Sequence, residues 1–233
     1  MSLFLTTAYA EEAEASNPSW FHDVFRKFSE LPAWGYILIV VMLAASIAYF
    51  VTNKGKKTVW TTQMLSVGAM CMALTVVLSR IRLFTMPNGG SVTPASMLPL
   101  ILFAYIYGVG PGLLLGALYG ILDYLFGGWF LNVLQFIFDY PLAFAMLGLA
   151  GLFRNMSDQK AGLALGAFVA SLGRYIAAVL AGVFFWADGR TGLEAWTYSF
   201  AYNGSYMAIE CVLCVVIAVL IGERILKSIK RFK

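Results

Sequence analysis

Four ionisable residues, Asp123, Asp139, Arg174 and Glu210, sit within stretches that otherwise read as lipid-spanning helix. A charge at mid-bilayer costs about 2.5–3.5 kcal/mol on insertion scales, so such residues usually face a binding site, an ion path or one another. Aromatic and amide side chains crowd the same stretches, among them Tyr140, Trp186, Tyr198, Tyr202, Asn203 and Tyr206. This chemistry suits a protein that holds something polar inside a membrane bundle.

Asp139-Tyr140-Pro141 is the sharpest constellation. A carboxylate beside a tyrosine suits a cationic or amine-bearing ligand. Pro141 lacks an N–H, which leaves one helix carbonyl in need of another partner. The competing expectation is a structural ion pair between Asp139 and Arg174. In the last apolar run, Tyr198, Tyr202, Asn203, Tyr206 and Glu210 fall within about a 140° arc at 100° per residue. An interfacial aromatic belt explains Trp196 and Tyr198. It does not explain Asn203 or Glu210, which lie one to three turns deeper. Trp186 can stack on a planar ligand or a cation, and a belt position suits it equally.

Hydrophobic residues make up 61% of the 233-residue chain and charged residues 12%. Soluble domains carry about 25% charged residues, so the chain reads as an integral membrane protein. Its apolar runs are continuous rather than alternating, which argues for helices over a β-barrel. The net charge of +4 comes from basic residues beside the spans, which fits a membrane face better than nucleic acid. Cys71, Cys211 and Cys214 lie in apolar runs and read as helix packing, and the single histidine, His22, precludes a His-based metal site. Neither a cofactor nor a metal is expected. Gly55-Lys-Lys-Thr58 lacks the glycine-rich lead of a nucleotide loop, so any ATP-driven step needs another chain.

These residues must be positioned by six or seven helices of about 20 residues each. Residues 1–33 are polar and acidic. Ala8-Tyr9-Ala10 is similar to the end of a signal peptide, although its basic lead is missing and its apolar run is short; a start upstream is favoured over chance. An extra span is expected at 34–52, followed by basic Lys54, Lys56 and Lys57 in a cytoplasmic loop to residue 58. That puts the N-terminal segment outside. A membrane domain over 59–233 follows, with spans at 59–79, 97–107, 112–126, 132–153, 161–186 and 196–221. Residues 85–96 hold Pro87, Gly89, Gly90 and Pro94, which cannot continue a helix and make a structured loop. Arg80 and Arg82 read as headgroup anchors. The tail Arg224, Lys227, Lys230, Arg231 and Lys233 belongs inside. Ala69 and Ala73 form a small-xxx-small pattern that lets helices approach closely in lipid.

The ordered series Asn88-Gly-Gly-Ser-Val-Thr-Pro-Ala-Ser-Met-Leu-Pro99, Tyr107-Gly-Val-Gly-Pro-Gly112, Asp139-Tyr-Pro-Leu-Ala143, Gly173-Arg-Tyr175, Ala181-Gly-Val-Phe-Phe-Trp186 and Tyr198-Ser-Phe-Ala-Tyr-Asn-Gly-Ser-Tyr206 resembles the ThiT family. These are the thiamine-specific S components of energy-coupling factor (ECF) transporters, and the resemblance covers residues 63–225. It implies an all-α, six-helix membrane bundle that binds a vitamin from outside, here with one additional N-terminal helix. It implies docking on a shared module of one transmembrane protein and two cytoplasmic ATPases. Carried over residue by residue, the ligand site comprises Asp139, Tyr140, Trp186, Tyr198 and Asn203, and the docking face comprises Ala69 and Ala73. The chain departs from the pattern in carrying Asp139 where many relatives carry Glu, and Ala178 where relatives often carry a pocket His. The ligand expected is therefore thiamine, a thiamine precursor or a related pyrimidine, taken up at the cell membrane without covalent chemistry. The rival readings are an S component for a different vitamin, a non-transporting membrane scaffold whose charges pair with each other, and an intramembrane enzyme.

Overall fold

The structure, a computed structural model, describes residues 59–86 and 89–230. The expected N-terminal segment and the extra span at 34–52 lie outside the described residues, as do Arg231 and Lys233. Among the described residues the chain forms helices α1 (Thr62–Arg80), α2 (Leu98–Tyr107), α3 (Val109–Leu125), α4 (Val133–Phe153), α5 (Gln159–Phe185) and α6 (Gly192–Lys230). Helices α1, α4, α5 and α6 are each long and apolar enough to cross a membrane, whereas α2 and α3 are shorter apolar helices.

Local chemistry sets the helix boundaries. Thr61 caps α1 by accepting from the Met64 N–H at 3.2 Å. Asn132 caps α4 by accepting from the Gln135 N–H at 2.9 Å, and Asp158 caps α5 through the N–H groups of Lys160 and Ala161. The break expected across 108–112 shrinks to Gly108, whose φ of 98° turns α2 directly into α3. Gly110, Pro111 and Gly112 then fall in the first turn of α3, where Pro is tolerated because the first N–H groups have no helical partner. The last helix begins one turn before the expected position and runs 39 residues, about 58 Å at 1.5 Å per residue. That exceeds the bilayer core of about 30 Å, so its basic end extends beyond the apolar layer.

The structured loop expected after α1 holds two short strands. It is an antiparallel hairpin of β1 (Phe84–Thr85) and β2 (Ser91–Val92), with Phe84 opposite Val92 and Thr85 opposite Ser91. The core lies around α2, whose residues from Leu98 to Tyr105 are all buried. By contrast α1 buries only 17% of its most apolar stretch, against 56% for α5.

Helix α4 changes winding along its length. Phe138–Leu142 forms a π turn around Pro141, and Met146–Phe153 tightens to a 3-10 helix. The expected proline distortion is thus real and falls on Asp139 and Tyr140. Glycines on α3 accommodate this irregular backbone. A Cβ on Gly116 would lie 2.2 Å from the Phe144 carbonyl oxygen, and one on Gly120 would lie 2.3 Å from that of Tyr140.

Candidate functional site

The π turn on α4 aims Asp139 at the end of α5. The Asp139 Oδ2 accepts from the indole N–H of Trp186 at 2.8 Å and from the Gln135 side-chain amide at 2.6 Å. Gln135 is fully buried and sits one turn before Asp139, so the i,i+4 spacing was the readable signal for a partner that sequence reasoning passed over. Tyr140 points toward the loop after α3, where its hydroxyl accepts from the Trp129 N–H at 2.7 Å.

The opposite wall comes from α6. Asn203 donates from Nδ2 to the Ser199 carbonyl at 3.0 Å and to the Ala178 carbonyl on α5 at 3.4 Å. Its Oδ1 accepts from the Tyr206 hydroxyl at 2.9 Å. Close approach of α5 and α6 permits this bridge: a Cβ on Gly182 would lie 2.2 Å from the Ser199 hydroxyl oxygen. Tyr198 and Tyr202 stack at 5.9 Å between centroids, with 22° between planes. The Tyr202 hydroxyl accepts from the Gly90 N–H on the hairpin loop at 3.1 Å. The periodicity that placed these residues on one arc therefore holds in space.

Asp139, Tyr140, Trp186, Tyr198 and Asn203 all line one cavity of about 700 Å³. It is formed where the C-terminal end of α1, the hairpin, the C-terminal end of α3, the middle of α4, the C-terminal half of α5 and the first half of α6 converge. Ala178, expected at a position that is often larger in relatives, also lines it.

The four membrane-embedded charges resolve into different roles. Arg174 pairs with Glu210 at 3.7 Å and lies 4.2 Å over the Phe144 ring. Glu210 also accepts from the hydroxyls of Thr93 and Ser96, which lead from β2 into α2. Asp123 pairs with Arg80 at 3.7 Å. Arg80 was expected only as a headgroup anchor, yet it lines the cavity, as does Arg82. The alternative pairing of Asp139 with Arg174 is not formed. Among the described residues Asp139 has no cationic partner, although Asp123, Asp188 and Glu210 each have an arginine.

Comparison with known proteins agrees with this fold. The thiamine transporter protein family (Thia_YuaJ) matches residues 65–230. The chain belongs to this family. It is 35% identical over 161 residues to the thiamine transporter ThiT of Bacillus subtilis, covering 63% of this chain and 83% of that one. It is 34% identical over 136 residues to the thiamine transporter ThiT of Lacticaseibacillus paracasei, covering 52% and 68%. A solved structure of ThiT from Listeria monocytogenes superposes with a TM-score of 0.58 at 25% identity, covering 71% of this chain and 93% of that one. Family membership and four apolar helices together make this a multi-pass membrane transport protein of the thiamine transporter family.

Proposed function

We propose that this protein is the substrate-binding S subunit of an ECF-type transporter, binding thiamine or a close thiamine precursor from outside. Delivery then runs through a shared transmembrane subunit driven by two ATPases. The observation that carries the ligand class is the ion pairing of the cavity's carboxylates. Three of its carboxylates have an arginine partner, and Asp139 has none among the described residues. A half-buried carboxylate without a cation is unfavourable, and a cationic or amine-bearing ligand relieves that cost by supplying the missing charge. Thiamine combines a permanent cation, an aminopyrimidine and a hydroxyl. Trp186 offers an aromatic surface fixed by its own hydrogen bond to Asp139, while Tyr140, Tyr198 and Asn203 offer ring faces, edges and hydrogen-bonding groups.

Orientation follows from the basic flanks. With the C-terminal end of α6 on the cytoplasmic side, the cavity at the Arg80 end of α1 opens outward. Ala69 and Ala73, exposed on α1, form the docking face for the transmembrane subunit. The test is titration of the detergent-purified chain with thiamine and with its pyrimidine precursor. Binding without ATP is expected, with quenching of tryptophan fluorescence because Trp186 lies in the cavity. Absence of both heat and quenching for either compound rejects the thiamine reading.

A further inference from the structure

Arg190 sits on the loop between α5 and α6 and does not line the cavity, yet it touches a residue that does. Its guanidinium carbon lies 4.1 Å from the centre of the Tyr198 ring. Four contacts hold it there. Its Nη1 donates to the Ala187 carbonyl at 3.3 Å, and its backbone N–H donates to the same carbonyl at 2.9 Å. Asp188 lies 3.7 Å away and Glu194 3.9 Å away, on either side of it in sequence. The loop takes left-handed backbone at Asp188, Gly189 and Gly192, with φ of 47°, 78° and 52°. This tight path folds the arginine back onto α6.

From Tyr198 the contact continues along the helix. Tyr198 stacks on Tyr202, and the Tyr202 hydroxyl accepts the Gly90 N–H. Gly90 itself lies against the Tyr206 ring so closely that a Cβ there would sit 2.7 Å from Cε1. Two segments far apart in sequence, the α5–α6 loop and the hairpin, are thus joined through one ladder of tyrosines on α6. A cation on the face of an aromatic ring is attracted by its quadrupole and restricts the ring to one rotamer.

We propose that Arg190 is a positioning residue for the ligand: it fixes Tyr198, and through the Tyr198–Tyr202 stack it holds Gly90 of the hairpin against the cavity. This rests on the reading of the cavity as the ligand site. The two paired acids orient Arg190 and are not themselves the link to the hairpin.

The test separates the two ideas because its first arm needs no ligand. Amide hydrogen exchange is followed in hairpin peptides covering Gly90, in the ligand-free protein. Arg190→Ala is expected to speed that exchange, and Arg190→Lys, which keeps a cation on the ring, to restore it. Asp188→Asn combined with Glu194→Gln, which leaves the Ala187 carbonyl to hold Arg190, is expected to raise it less than Arg190→Ala does. Tyr202→Phe, which removes the Gly90 acceptor, shows that the assay responds. If Arg190→Ala fails to fold, Arg190→Gln is compared with Arg190→Lys in the same way. Exchange unmoved by loss of the cation, or raised equally by the Asp188/Glu194 variant, overturns the proposal and leaves Arg190 as a local loop contact. The second arm measures thiamine release, expected to be about threefold to tenfold faster in Arg190→Ala, the scale of one cation–π contact. Release at the parent rate also overturns it. A parent protein that binds no thiamine rejects the functional reading alone, since the exchange arm still decides the Arg190 link.

Discussion

The α3–α4 seam and the α5–α6 contact are both closely packed, and they are built in opposite ways. Between α3 and α4, backbone meets backbone. Gly112, Gly116 and Gly120 on one helix, with Gly148 and Gly151 on the other, let the two backbones approach closely. Between α5 and α6, Gly182 makes room for a hydroxyl and an amide. Ser199 donates to the Val179 carbonyl at 2.8 Å, and Asn203 spans to the Ala178 carbonyl. In lipid, where apolar surface does not drive helices together, small residues and interhelical hydrogen bonds are the two main ways to join them. The two contacts divide the labour. The glycine seam has no chemistry to offer and fixes the α4 backbone, so the π turn presents Asp139 and Tyr140 at one place. The polar contact keeps Tyr198, Tyr202 and Asn203 at the cavity wall, where their groups serve both the fold and a ligand.

That contrast breaks first, and hardest, at the seam. A side chain at Gly116 meets a carbonyl oxygen that cannot move without moving α4, whereas one at Gly182 meets the Ser199 hydroxyl oxygen at the tip of a short, rotatable side chain. Gly116→Leu is expected to leave no folded protein. Overpacking in a well-packed interior costs about 1–3 kcal/mol, occasionally more, and rigid backbone puts this case at the upper end. Gly116→Ala should lower the melting temperature in detergent by more than Gly182→Ala. Equal melting temperatures would mean that the two contacts yield alike.

The next largest effect falls on binding rather than folding. Asp139→Asn keeps an oxygen to accept from Trp186 and Gln135 and removes only the charge. A hydrogen bond to a charged group contributes about 1.5–3 kcal/mol, so thiamine should bind about tenfold to a hundredfold more weakly while the protein still folds. Arg174→Gln should give no compensation in that background, because Arg174 is paired with Glu210 and not with Asp139. Parent affinity in a titration of Asp139→Asn would remove the carboxylate from ligand recognition and leave the polar wall of α6 to account for it.

Much of this arrangement was legible in the residues. Apolar runs placed six helices, because a segment in lipid must satisfy its backbone internally and so declares itself by length and hydropathy. The α6 arc was legible because helical period is rigid. What escaped was anything set by distance across the fold. Gly112, Gly116 and Gly120 repeat every four residues, a stronger small-residue stripe than Ala69 and Ala73, yet only Gly112 stood out, at the end of the break after α2. The hydroxyl partners of Glu210, Thr93 and Ser96, lie on the hairpin side of α2, more than a hundred residues away, and no local pattern links them. The hairpin was hidden because its strands are two residues each, too short for alternation to show. Arg80 looked like an anchor because the end of a span and the rim of a cavity have the same sequence signature.

The smallest effect on the isolated protein should come from the outer face of α1. Ala69 and Ala73 are exposed, and their neighbours Leu65, Met70 and Leu74 are 57%, 71% and 51% exposed. This face contributes to neither the glycine seam nor the polar wall, and it is separated from the cavity by the buried side of its own helix, Met64, Gly68 and Thr75. Large side chains here meet lipid or detergent, which accepts them without strain. Ala69→Trp with Ala73→Trp should therefore leave thiamine affinity and melting temperature at parent values. Against a partner helix the same change prevents close approach, because small residues are what allow backbones to meet. Co-purification with the ATPase-bearing module should be lost, and ATP-driven uptake in cells with it. Uptake at the parent level in a double variant that binds thiamine normally would rule out this face as the docking surface. A loss of binding in the isolated protein would show instead that α1 is coupled to the cavity, and the separation between scaffold and site would have to be redrawn to include it.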